Sequence, residues 1–126
     1  MKRSLAVLAL WLAAGLAACL AERPRPAPPQ LAIVIDSTTI HSATPNDTLT
    51  GSVRADDPDG LDSIWLRVDT TQVGVDGLFE TSFRRPFRFA IRAGISAGTH
   101  IPVILEARDV VGFRSQLDSF VTVAAP

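Results

Sequence analysis

An all-β domain is what this sequence predicts, and three observations predict it. From Leu31 onward the apolar residues recur with a period of two rather than 3.6. Short apolar runs are separated by clusters of Pro, Asn, Asp and Gly at the spacing of β-sandwich strands. No segment past residue 30 carries the wide apolar stripe of an amphipathic helix. The chain has 126 residues, enough for one domain. About 95 of them can contribute to a packed core.

Residues 31–35 read as a first strand and residues 48–55 as a second, with Val53 and Ala55 facing one way. Ile64, Leu66 and Val68 alternate with Ser63, Trp65, Arg67 and Asp69, which gives a third strand with one wet face. Residues 72–75 and 78–83 flank Asp76-Gly77, a pair that tolerates φ > 0 and so predicts a two-residue hairpin turn. Phe87, Phe89 and Ile91 alternate with Arg88, Ala90 and Arg92. Ile101, Val103, Leu105 and Ala107 alternate with Pro102, Ile104, Glu106 and Arg108, and residues 117–123 form the last strand. The expected fold is thus a single β-sandwich of seven or eight strands. Leu66, Phe89 and Leu105 should point into its core.

The N-terminus is of a different kind. Lys2 and Arg3 precede an apolar run over residues 5–16, the order and length of a secretory signal. A membrane-spanning helix needs about 20 apolar residues, and Pro24 ends any helix too soon. Leu16, Ala17, Ala18 and Cys19 then resemble the bacterial lipobox at all four positions. That resemblance implies cleavage before Cys19 and acylation of its thiol, a lipoprotein held to a membrane by its acyl chains. Leu20 stands where an inner-membrane retention Asp would be, which favours the outer membrane if the source has two membranes. Residues 22–30 are rich in proline and favour an extended polyproline spacer. The expected organisation is therefore a signal peptide over 1–18, a lipidated Cys and Pro-rich tether over 19–30, and the β domain over 31–126. Cys19 is the single cysteine, so no disulfide can form within the chain.

Two stretches of the domain carry a family likeness. Ala97-Gly98-Thr99-His100, with residues 103–112 reading Val-Ile-Leu-Glu-Ala-Arg-Asp-Val-Val-Gly, resembles the last half of bacterial immunoglobulin-like domains. Residues 55–64, containing Asp56-Asp57-Pro58-Asp59-Gly60, resemble the corner between their second and third strands. The likeness covers nearly all of residues 31–125 and implies a fold more than a function. It departs where an aromatic usually begins the sixth strand, because Ile101 holds that register. The chain has no tyrosine, so the tyrosine corner of antibody-type domains is excluded.

Little in the composition points to chemistry. The formal charge is −1, and losing Lys2 and Arg3 with the leader takes the remainder to about −3. No basic excess suggests nucleic acid. Asp56, Asp57, Asp59 and Asp62, with Asp109 from a neighbouring loop, offer oxygens to calcium. Asp57-Pro58-Asp59-Gly60 also satisfies a type I turn outright, and the turn reading is favoured. Arg84, Arg85, Arg88 and Arg92 form a basic stripe, read as a solvated face more readily than a phosphate site. His41 and His100 lie far apart, and no Gly-x-Ser-x-Gly elbow, zinc spacing or phosphate loop accompanies them. No catalysis and no cofactor are expected.

The alternation that sends Ile64, Leu66 and Val68 inward sends Trp65 and Arg67 outward, and Ile104 and Arg108 with them from the sixth strand. An outward Trp and Ile among arginines has the composition of a binding patch. Phe120 joins if the last strand's register allows. The expected function is a lipid-anchored envelope module that binds a protein or polysaccharide or plays a structural role. The alternatives are an enzyme accessory, a small envelope hydrolase, or a calcium-stabilised adhesive module.

Overall fold

The computed structural model describes residues 26–37, 39–41 and 47–125. The signal peptide, the lipobox Leu16, Ala17, Ala18 and Cys19, and most of the tether lie outside these residues. The described chain is all-β. Its strands are β1 (Gln30–Ile35), β2 (Thr39–His41), β3 (Thr48–Val68), β4 (Thr71–Ala90), β5 (His100–Asp109) and β6 (Arg114–Ala124). They form one curled sheet in the order β1-β3-β5-β6-β2, with β4 along the other side of β3. All pairs are antiparallel except β2 with β6, which is parallel.

Six strands replace the seven or eight expected, because two corners expected to separate strands turn out to be bulges within them. Asp57-Pro58-Asp59-Gly60 does not reverse the chain. The register runs from Asp56↔Ser82 directly to Leu61↔Glu80, so four residues of β3 bulge opposite Thr81 alone. Gly60, at φ +100°, takes a backbone conformation that suits glycine. Likewise Asp76-Gly77 is no hairpin turn. Ser63 pairs with Asp76 and Leu61 with Glu80, which leaves residues 77–79 as an insertion in β4. The actual hairpin joins Val68 to Thr71 through Asp69-Thr70, with Asp69 at φ 54°. Asp tolerates that left-handed region better than most residues.

The bulges matter to the core because they change which residues point inward. Through the second register shift of β3, between Leu61 and Ser63, the buried residues include Leu49, Val53, Ala55, Leu61 and Ser63; past it they are Ile64, Leu66 and Val68. An unbroken strand would have carried one set to solvent. β3 therefore has two arms with different neighbours. The first lies between β1 and the end of β4, the second between the start of β4 and β5. Curling brings their inner faces together around Leu105, Val103, Val121 and Val123, all essentially inaccessible. Leu66 and Leu105 take the inward positions expected of them. Phe89 is only half-buried, at the rim of a cleft lined also by Val73, Val75, Phe83 and Phe87. Ile101 fills the inward position at the start of β5. Pro29, the last tether residue before β1, is buried, and its carbonyl accepts the Ser115 hydroxyl at 2.6 Å.

Candidate functional site

Two places gather polar chemistry: the outer face of β3–β5–β6 and the bend of β3.

On the outer face the strand registers fix the neighbours. Trp65 pairs with Gly74 on one side and Glu106 on the other, while Arg67 pairs with Ile104 and Gln72. Arg108 stands opposite both Ser63 and Arg114. Trp65, Arg67, Ile104 and Arg108, the patch drawn from strand alternation, thus lie on one surface. Trp65 is half-buried rather than open. Arg108 and Arg114 bring their guanidiniums to 6.0 and 5.9 Å from its ring centre, within cation–π range. Gly74 supplies the seat, since a Cβ there would come within 2.5 Å of the indole Cδ1.

Arg108 is itself held. Its Nε donates to Asp62 Oδ2 at 3.0 Å, while the Ser63 hydroxyl donates to the same oxygen. These bonds hold the Asp62 carboxyl below the usual range, Arg108 contributing most. Phe120 also lies on this surface and is 55% exposed, with the His100 ring against its edge at 4.5 Å. His100 Nδ1 lies 3.2 Å from the Thr122 hydroxyl. Sequence reasoning missed Arg114, set Asp62 with the acidic corner rather than beside Arg108, and missed Gly74. The first two follow from registers that bulges and turns set, and Gly74 was hidden in a segment read as a separate strand.

The basic stripe is exposed along β4 and just beyond it. Arg85 lies over the Phe83 ring, and Arg92 pairs with Asp69 at 3.0 Å. Arg84 stands directly opposite Arg54, whose charge is offset by an ion pair with Asp56. Asp56 also accepts from Ser82, the larger cause of its lowered pKa, with Arg54 next. Asp56 therefore points out, away from the other acids.

Asp57, Asp59 and Asp109 do converge. One carboxylate oxygen from each lies within 4.8 Å of the other two. Asp57 and Asp109 are each only 1% exposed, whereas Asp59 is at the surface. Asp57 Oδ1 accepts from the Asp59 N–H at 2.8 Å, the local turn bond expected of Asp in this setting. Asp109 Oδ1 accepts from three successive N–H groups, Val111, Gly112 and Phe113, at 3.0, 2.7 and 2.8 Å, and so builds the β5–β6 turn. The second oxygens differ. Asp57 Oδ2 and Asp109 Oδ2 are both buried and have no hydrogen-bond partner among the described residues. Burial pushes the Asp57 carboxyl up, the Asp59 N–H opposes this, and the Asp109 charge adds to it.

No protein-family model matches the chain, and no curated protein matches it either. Among solved structures it is similar to the crystal structure of Spo0M, a sporulation control protein from Bacillus subtilis. The TM-score is 0.53 at 11% identity, over 79% of this chain. The match spans about half of that protein, 51% of its length. At this identity the likeness concerns the fold alone.

Proposed function

We propose that this chain is a lipid-anchored module of the bacterial cell envelope, built as an immunoglobulin-like β-sandwich, which binds a partner protein and performs no catalysis of its own. The topology supports the immunoglobulin-like reading. Cut at their bulges, β3 and β4 each supply two arms, and the six strands become eight. The first arm of β3 then lies between β1 and the end of β4, in the manner of strands A, B and E. The second lies among the start of β4, β5 and β6, in the manner of the opposite sheet. The anchor is supported by the order of Lys2 and Arg3, the apolar run, and Leu16-Ala17-Ala18-Cys19. Two or more acyl chains on Cys19 would meet what stable membrane attachment requires. The outer membrane is the proposed destination in a bacterium that has one.

The observation that carries the binding role is Trp65, fixed mid-sheet between two guanidiniums with Arg67 and Ile104 beside it. Trp and Arg are enriched among the residues that dominate protein interfaces. Here both arginines crowd the indole, so a sugar would find no clear ring face to stack on. A protein surface with an acidic rim fits better. The test is capture from envelope membranes by the lipidated protein, with Trp65→Ala and Cys19→Ala run alongside. A partner retained by the wild type and lost with Trp65→Ala at an unchanged melting temperature supports the face. Retention by Trp65→Ala overturns it, and release by soluble glycans reassigns the face to polysaccharide.

A further inference from the structure

We propose that Asp57, Asp59 and Asp109 hold a divalent cation of the calcium type, which clamps the bend of β3 to the β5–β6 turn. The site is distinct from the Trp65 face, and its failure would leave the binding reading untouched.

The argument starts from two oxygens. Buried polar groups are paired in the great majority of cases, and each exception calls for a physical account. Here there are two exceptions in one place, Asp57 Oδ2 and Asp109 Oδ2, both on side chains 99% removed from solvent. Each carboxylate is fixed through its other oxygen, Asp109 by three N–H donors and Asp57 by one. Neither can swing its second oxygen out to water without abandoning those bonds. Two unsatisfied carboxylate oxygens held together in a desolvated pocket repel one another, and a bound positive charge removes that cost.

The donor set points to the kind of cation. All three ligands are hard carboxylate oxygens, and among the described residues no histidine or cysteine joins them, a donor set that suits calcium better than zinc. The oxygens lie within 4.8 Å of one another, so a single ion with Ca–O bonds of about 2.3–2.6 Å can reach all three. Calcium takes six to eight oxygens in flexible geometry, so the three carboxylates supply part of the shell. Asp59, at the surface, provides the way in and leaves room for water in the remaining positions. The ligands come from two elements far apart in sequence, and Val110 N–H already bonds Gly60 C=O at 2.9 Å between the same two loops. A cation there closes a contact the fold has begun.

The experiment uses the full chain in detergent, stripped with chelator and titrated calorimetrically with calcium chloride and separately with magnesium chloride. Saturable one-to-one calcium binding is expected, with Kd on the order of 10⁻⁵–10⁻³ M, from the weakest sensor sites to extracellular modules. At a hundredfold excess over Kd the melting temperature should rise by about 10–20 °C. Asp57→Asn and Asp109→Asn keep an oxygen for the turn bonds and should weaken calcium binding at least tenfold. Asp59→Ala is the second arm, since its exposed side chain can be removed without disturbing the core, and it too should weaken binding. Asp62→Asn, outside the cluster, should leave the response unchanged.

Absence of saturable binding up to 10 mM calcium (roughly ten times the weakest Kd in that range) overturns the proposal. So does an equal or stronger response to magnesium. A wild type indifferent to calcium, combined with Asp57→Asn that is stabilised under chelation, would show instead that a proton shared by Asp57 and Asp109 fills the role.

Discussion

Truncation of two core residues gives a sharp test of how this fold is packed, because the structure reverses the order that side-chain size alone predicts. Leu105 is 0% exposed, on the central strand β5, opposite Leu66 of β3 and Leu117 of β6. Removing its isopropyl group leaves a hole between two paired strands that cannot close without breaking register. Leu105→Ala should therefore fall in the upper part of the usual range, about 3–5 kcal/mol. Phe89 is the larger side chain, and a fully buried Phe→Ala change costs about 3–5 kcal/mol. It is only half-buried, however, on β4 at the open rim of a cleft, with Phe87 leaning on it at 5.9 Å. Water already reaches it, and Phe87 can shift into part of the space. About 2 kcal/mol is expected.

Chemical and thermal denaturation of the soluble form from residue 20 would measure both. In a domain this size each kcal/mol moves the melting temperature by roughly 4–8 °C, so the gap between the variants is well resolved. A Phe89→Ala loss equal to or larger than that of Leu105→Ala would refute the packing argument. It would mean that the cleft is closed in solution and β4 lies tighter against the core.

Gly51→Ala should destabilise by about 3 kcal/mol, as for an overpacked strand contact, because its Cβ would overlap the Val34 carbonyl and the Phe87 ring; a melt within about 0.5 kcal/mol of wild type would contradict the β1–β3 spacing. Gly74→Ala should push the indole from its seat, raising Trp65 exposure as read by a red shift and easier quenching of tryptophan fluorescence, with Trp11 replaced by Phe. For acid stability the sign follows from Asp62, whose folded pKa lies below the unfolded value of 3.8. Its contribution is present above that value and is lost as pH falls through the folded one. Asp62→Asn should remove that part of the acid dependence while leaving the melt's response between pH 6 and 8 unchanged. Cys19→Ala should abolish labelling by palmitate, and label retained in that variant would end the lipoprotein reading.

Period-two alternation made much of the core legible. Ile64, Leu66 and Val68, and Ile101 through Ala107, needed no three-dimensional information, because a sheet with one dry face imposes that pattern residue by residue. What the sequence concealed was continuity. Asp57-Pro58-Asp59-Gly60 has the residues of a reversing turn, and the same local chemistry serves a bulge when a partner strand runs past both sides. Only the pairing of β4 with both arms of β3 decides between them. The hairpin was misplaced for a related reason. Asp76-Gly77 is the stronger local signal, yet Asp69-Thr70 has the tertiary pairing of Val68 with Thr71 behind it.

The same limits apply to the sites. Alternation was enough to put Trp65, Arg67, Ile104 and Arg108 on one surface. It could not reveal that Arg114 completes the flank of Trp65, since that depends on where the Asp109–Phe113 turn sets the β5–β6 register. In the acidic corner, Asp57, Asp59 and Asp109 were among the residues singled out, but their convergence depends on two loops meeting. Asp56, their neighbour in sequence, points the other way, because one residue along a strand is one change of face.

One property of β4 reaches beyond the single molecule. Among the described residues it pairs with β3 alone, so a 20-residue strand leaves one side of its backbone open to templating by another copy. Such an edge invites fibre growth unless something discourages it. Arg84, Arg85 and Arg88 are exposed along this strand, and Pro86 among them has no N–H to offer a newcomer. An identical strand arriving parallel and in register would bring its own three guanidiniums against these, while the insertion at residues 77–79 spoils a straight register. The arginines that read as a solvated face in one dimension stand in three along an open edge, where their like charge opposes self-polymerisation. Replacing them with threonine would strip that protection without touching the core.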